Sequence, residues 1–167
     1  MTEKIFRTYL EIKSLKDLKE VKKPTNQYSI NLDNPKDFQL NKFFYKNIGK
    51  NCQWTDRLIW TDLDWVNYIS NVKLSTYILK DGEEIAGYFE LIFNQDIKEV
   101  EIAYLGILEE YFEKKLGGYL LSEAIKKSFL MGAKRLKVHT CSLDHKNALN
   151  NYLSRGMKIF KSEIVIK

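Results

Sequence analysis

The stretch Leu105-Gly106-Ile107-Leu108-Glu109-Glu110-Tyr111-Phe112-Glu113-Lys114-Lys115-Leu116-Gly117-Gly118 decides how this chain is read. Before it, Val100 to Leu105 has the character of a strand. After it, Leu120, Leu121, Ala124, Ile125 and Phe129 recur at helical spacing from about Gly117 to Met131, and Gly132 marks the exit. A loop that ends in two glycines at a helix N-terminus leaves several backbone N–H groups unpaired and aimed at one point. Without a Cβ, those glycines also let an anion come close. The segment predicts a phosphate seat. The same glycine pair also serves an ordinary tight strand-to-helix turn, and the dipeptide by itself leaves both readings open.

Upstream, Leu74 to Leu79 and Ile85 to Phe93 flank Lys80-Asp81-Gly82-Glu83, a hairpin signal. A helix is expected after Thr61, with Asp62 and Asp64 in its first turn and Trp65, Tyr68 and Ile69 on its face. Another starts at Phe38, with Phe38, Leu40, Phe43, Phe44 and Ile48 on one side and Gly49 as its C-cap. Thr8 to Ile12 alternates like a strand, Ser14 to Val21 reads as a short charged helix, and Tyr28 to Leu32 is a further candidate strand. Downstream, Leu136, Val138 and Thr140 alternate with Lys137, His139 and Cys141 as a strand with two different faces. A last helix runs from about Lys146 to Ser154, stopping at Gly156, before a closing strand through Ile159 and Val165. The order predicts an α/β domain in which a mixed sheet carries helices on its faces.

Composition narrows the class. A chain of 167 residues accommodates one ordinary core, so residues 1–167 are expected to form one domain. Hydrophobic residues make up 44% and charged residues 29%, and no apolar run approaches the ~20 residues that span a bilayer. No secretory apolar stretch opens the sequence, and Cys52 and Cys141 are too few for a disulfide scaffold, so a reducing cytoplasm is the expected address. The net charge of +5 is spread along the chain without dense basic blocks. That leaves a phosphate-bearing small molecule open as partner and gives little support to nucleic acid, while a scattered solvated surface accounts for the lysines on charge alone. His139, Cys141 and His145 lack the further ligands a zinc site needs, and no Asn or Asp is placed to orient His139 toward Cys141 as a nucleophile. No metal is expected.

Leu105 to Leu121 resembles the acetyl-CoA segment of the GNAT acetyltransferases, Val-x-Pro-x-Tyr-(Arg or Gln)-x-x-Gly-x-Gly-x-x-Leu-Leu. Ile107, Tyr111, Gly117 and Leu120-Leu121 match, while Phe112 replaces the Arg or Gln and Lys115 the first glycine. Downstream, His145 to Met157 is similar to the family's Asn-x-x-Ala-x-x-x-Tyr-x-x-x-Gly-Phe ending. Ala148, Tyr152 and Gly156 coincide, with His145 and Met157 in the Asn and Phe places. More narrowly, Thr8 to Glu11, Cys52 to Trp60, Gly87 to Leu91 and Val138 to His145 resemble the motifs of one bacterial subgroup, Cys52 departing from its first Trp.

The resemblance implies a GNAT fold: a mixed, mostly antiparallel sheet of about seven strands, four or so helices, and a splayed strand pair for acetyl-CoA. It also implies transfer of acetyl from acetyl-CoA to a primary amine by direct attack in a ternary complex. The alternative is a GNAT-fold module that binds CoA or a partner without catalysis, to which Phe112 and Lys115 point. The implied cofactor contacts are Ile107, Leu108, Phe112, Glu113, Lys114, Lys115, Leu116, Gly117, Gly118, His145 and Ala148. Main-chain N–H groups around Ile107 and Leu108 would meet the oxyanion, and Tyr152 would donate to the CoA sulfur.

Attack also needs a neutral amine, which for a free lysine at pH 7 lies roughly 4.6 kcal/mol uphill. Glu101 and Glu99 share one side of a strand and are candidate bases, Glu101 first, with Glu90 a third on the neighbouring strand. Trp54, Asp56 and Arg57 fall where the family covers its acceptor. Asp56 would hold a cationic amine, or Asp56 and Arg57 would form a structural ion pair while the tryptophans fill core. The acceptor, and whether the chain acts as monomer or homodimer, are open at this level.

Overall fold

The computed structural model describes residues 4–166. Its strands are β1 (Lys4–Ile12), β2 (Tyr28–Leu32), β3 (Leu74–Asp81), β4 (Glu84–Asn94), β5 (Glu99–Ile107), β6 (Arg135–Cys141) and β7 (Lys158–Ile166). Its helices are α1 (Phe38–Cys52), α2 (Asp62–Ile69), α3 (Leu116–Leu130) and α4 (Ala148–Ser154). The strands form one sheet in the order β2-β3-β4-β5-β6-β1-β7. Every neighbouring pair is antiparallel except β5 and β6. That parallel pair is joined only from Glu99 to Glu101, against Arg135 to Lys137, and then parts. The expected mixed sheet with a split between two strands is therefore present.

Alternation along the central strands builds a core on each face. Leu79, Phe89 and Leu91 pack with Leu116, Leu120, Leu121 and Ile125 of α3. The alternate residues Ile78 and Tyr88 pack with Phe44 and Ile48 of α1. The β4–β5 register slips between Glu90 and Leu91, leaving Ala103 as an extra residue in β5. Such a bulge bends a strand, here just beyond the point where β5 leaves β6. No helix of the described residues is long and apolar enough to cross a membrane.

Three local expectations differ. Ser14 to Val21 forms only a 3-10 turn at Leu15–Asp17, because the residues beyond that turn are held by tertiary partners. Lys19 N–H donates to the Arg155 carbonyl (2.9 Å) and Val21 N–H to Ser122 Oγ (2.9 Å). Helix α1 runs past Gly49 to Cys52 and ends on Gln53, which takes the left-handed conformation (φ 55°). Gly49 is needed for packing instead: a Cβ there would lie 2.9 Å from Trp54 Cβ. Phe43, expected on the inner face of α1, is exposed.

Candidate active site

The loop from β5 to α3 is shaped by two residues that accept the left-handed conformation without being glycine, Glu113 (φ 64°) and Lys115 (φ 62°). Lys115 is the N-cap of α3 and makes no capping side-chain hydrogen bond, and the first turn holds no acid. The helix thus starts with its amide donors free of side-chain partners, and it starts at the split. A cavity of about 970 Å³ lies there, walled by Tyr104 to Ile107, Leu116 to Gly118, Leu143 to Ala148, Tyr152 and Arg155, and closed on the α1 side by Cys52 to Arg57.

Most of the expected cofactor residues line this cavity: Ile107, Phe112, Glu113, Lys115, Leu116, Gly117, Gly118, His145 and Ala148. Leu108 and Lys114 do not. Leu108 is buried in the α1-side core and its N–H donates to the Ala86 carbonyl (2.8 Å). Because amides of an antiparallel strand alternate in direction, that bond turns the Ile107 N–H away from β4 and toward the split. Of the two amides expected to face the reaction, only that of Ile107 is so directed. Phe112 packs edge-on against His145, with ring centroids 5.1 Å apart. His145 Nδ1 in turn accepts from the Asn147 N–H (3.1 Å), and Asn151 Nδ2 donates to the Gly117 carbonyl (3.0 Å), tying α4 to the start of α3.

Tyr152 is buried and lines the cavity. Burial raises its phenol well above the usual tyrosine range, with Asp144 and Cys52 adding to the effect. Asp144 is a residue to which the sequence alone assigns no role. Its carboxylate accepts from Thr140 Oγ1 (2.5 Å), the Cys141 N–H (3.2 Å) and Trp54 Nε1 (3.2 Å), joining the β6 end to the α1–α2 link. Its signal is an acid three residues after the strand end, where a carboxylate commonly caps a turn. Burial pushes the Cys52 thiol up to about 11, an effect the His145 backbone N–H partly offsets and Asp144 and Cys141 increase.

The carboxylates separate. Glu101 lines the main cavity and a smaller one of about 310 Å³ beside Tyr9, His139 and Phe160, and it joins no ion pair among the described residues. Glu99 lines neither cavity and is held by Arg135 (3.2 Å) and Lys137 (3.5 Å). Glu90, also expected near the substrate, is fully buried away from both cavities. It accepts from Tyr68 Oη (2.6 Å), Asn41 Nδ2 (2.8 Å) and Arg57 Nη1 (3.2 Å). Arg57 therefore pairs with Glu90, correcting the expected choice between Asp56 and the acceptor. Its guanidinium carbon lies 4.1–4.7 Å from the ring centres of Tyr68, Tyr104 and Trp60. The rings of Trp65 and Tyr45 stand 5.5 and 5.6 Å away. Burial opposes the charge on Arg57, but Glu90 and the surrounding tyrosines outweigh it and hold its pKa above the ordinary arginine value. Trp54 and Asp56 line the cavity, Asp56 with its side exposed.

A seven-stranded sheet split between two parallel strands, with an uncapped helix N-terminus over the split, defines an α/β domain with its cleft at the parted strands. A profile of the acetyltransferase (GNAT) family matches residues 38–157, and the chain belongs to that family. Solved structures share the fold at low identity. A conserved protein of Staphylococcus epidermidis matches with TM-score 0.67 at 15% identity over 99% of this chain and 62% of its own. A GCN5-related N-acetyltransferase from Kribbella flavida matches with TM-score 0.70 at 12% identity over 99% and 59%. This chain thus spans about three-fifths of the length of those two proteins. Spermidine N-acetyltransferase from Vibrio cholerae, solved with CoA and spermine, matches with TM-score 0.64 at 14% identity over 85% of this chain and 96% of its own. No curated protein matches the chain.

Proposed function

We propose that this chain is an N-acetyltransferase that moves acetyl from acetyl-CoA to a primary amine by direct attack in a ternary complex. One observation carries the reading: the uncapped N-terminus of α3 and the buried phenol of Tyr152 face the same cavity at the parted strands. The residues fit the cofactor. Free amides at Leu116 to Gly118 and the Lys115 ammonium suit its phosphates, and the apolar walls at Ile107 and Ala148 suit its thiol arm. When bound, acetyl-CoA would supply an acyl group activated as a thioester.

The Ile107 N–H would hydrogen-bond the acyl oxygen. Tyr152 would donate a hydrogen bond to the departing sulfur. A phenol whose pKa is raised by burial holds its proton more tightly than a thiol does, so it serves as a fixed donor and does not surrender the proton outright. Glu101, the one of the three candidate glutamates that lines the main cavity, and one that joins no ion pair among the described residues, would take the amine proton through water. Trp54 and Asp56 would face the acceptor. The domain would work in the cytoplasm as monomer or homodimer, on a soluble amine, without nucleic acid or membrane.

The packing of Phe112 on His145 and the strained Lys115 favour a second reading, a CoA-binding module without turnover. Release of free thiol from acetyl-CoA, measured against a panel of amines, separates the two. Turnover with at least one amine is expected, and Tyr152→Phe should lower kcat by about tenfold or more with an unchanged circular dichroism spectrum. CoA binding without turnover on any amine would establish the module instead. Turnover unaffected by Tyr152→Phe would remove the role given to the phenol.

A further inference from the structure

The helix starts of this protein follow two opposite rules. Helix N-termini carry about half a positive charge, so acids and capping oxygens stabilise them. At α1, Asp37 caps the Gln39 N–H. At α2, Thr61 and Asp64 form a reciprocal capping box, and Asp62 adds a second carboxylate. At α3 no side chain caps and no acid stands in the first turn. Two cations stand there instead. Lys115 is the N-cap, and Arg155 reaches in from the end of α4 so closely that a Cβ on Gly118 would collide with its Nη1. Gly118 is the residue that leaves the guanidinium room.

Arg155 is also unfinished. Its Nε is shielded from solvent and has no hydrogen-bond partner, and the side chain joins no ion pair among the described residues. Its backbone is fully engaged: the N–H donates to the Asn151 carbonyl (3.1 Å) and the carbonyl accepts from Lys19 (2.9 Å). The side chain is thus launched from a fixed point toward the cavity it lines. A guanidinium beside the positive end of a helix, with an orphaned N–H and no acid, is a charge arrangement that one oxyanion would resolve at a stroke. Phosphate is the anion whose geometry suits a guanidinium fork.

Resting on the proposed function, we propose that Arg155 binds a phosphate group of the CoA cofactor at the N-terminus of α3. It brings from α4 a charge that Phe112, turned onto His145, does not bring from the loop. The phosphate is either one of the diphosphate pair or the 3′-phosphate of the nucleotide, and the two are separable by ligand.

Calorimetric titration of the full chain and of Arg155→Gln and Arg155→Lys with CoA, dephospho-CoA and pantetheine tests this. Arg155→Gln should weaken CoA roughly 10- to 100-fold, the range of a hydrogen bond to a charged group, and Arg155→Lys less. Pantetheine, which has no phosphate at the seat, should bind the three proteins alike. A penalty that persists with dephospho-CoA assigns Arg155 to the diphosphate, and one that vanishes assigns it to the 3′-phosphate. Equal CoA affinity for the natural chain and Arg155→Gln overturns the assignment while leaving the proposed function intact. No CoA heat with the natural chain overturns both. An equal loss of pantetheine would also overturn it, showing that the arginine merely shapes the cavity. A thermal melt without ligand checks that Arg155→Gln folds.

Discussion

Arg57 and Arg155 border the same cavity and live by different rules. Arg57 is buried, bonded to a fully buried carboxylate and ringed by five aromatic side chains, so each part of its charge is answered from within the fold. An aromatic cage with an acid at its base is a cation receptor, and here the receptor is filled by the chain itself. Among the described residues Arg155 has neither acid nor ring, and one of its donors is orphaned. The contrast teaches where to look for a ligand: a compensated charge reports on folding, and an uncompensated one beside a cavity reports on binding. On that ground Arg57, where sequence reading put an acceptor contact, is structural floor, and the charge left for a ligand stands on the α3–α4 side.

The largest effect that would break this contrast is on stability. Arg57→Met leaves Glu90 buried with only Tyr68 and Asn41 as donors, and an uncompensated buried charge costs about 3–5 kcal/mol. Urea unfolding at pH 7 should show a loss of that order. A loss under about 1 kcal/mol would mean that the Arg57–Glu90 pair carries little of the fold's stability.

Burial without compensation has a further consequence at Cys52. The folded chain keeps this thiol protonated up to about pH 11, whereas the ordinary value is 9.0. Unfolding between those values therefore releases a proton. The stability tied to this group is complete below pH 9 and is lost as pH rises toward 11. At pH 10 the loss is on the order of 1 kcal/mol. Denaturant curves at pH 8 and pH 10 should thus fall further apart for the natural chain than for Cys52→Ala. Equal pH dependence in the two proteins would show that the thiol ionises freely.

The backbone order was legible because it depends on local rules. The Asp81-Gly82 hairpin, the acids opening α2 and the apolar period of α3 each act within a few residues, and the structure follows them. Gly49 misled because a glycine that ends a helix and a glycine that admits a neighbouring ring look the same in sequence; Trp54 decides it, from the far side of a turn. Glu101 and Glu99 share one side of β5 by strand period, with Glu90 on the neighbouring strand, and only the pairing of β5 with β6 and the folding of α1 over β4 tell the three apart. Arg155 carried no signal. In sequence it is a cation at a helix end, as dipole arguments would have it, and its relation to Gly118 exists only once α4 lies against α3.

The smallest effect sharpens the contrast at the helix start itself. Lys115 stands where the similar family motif has glycine, and the backbone keeps the glycine-like conformation (φ 62°) although the side chain has changed. A residue with a Cβ pays roughly 1–2 kcal/mol to sit there, against the 0.5–1 kcal/mol by which glycine's greater freedom favours the unfolded chain. Lys115→Gly should then raise stability by about 0.5–1 kcal/mol, a melting shift of roughly 1–4 °C for a chain of this size. If the lysine is kept for its ammonium, the same change must weaken CoA by a few-fold, about threefold or more on the scale of an exposed charge contact. Stability gained and affinity lost together would mark Lys115, like Arg155, as a charge the fold tolerates for a ligand. Stability gained with affinity unchanged would confine that property to Arg155 and reduce Lys115 to a strained turn residue.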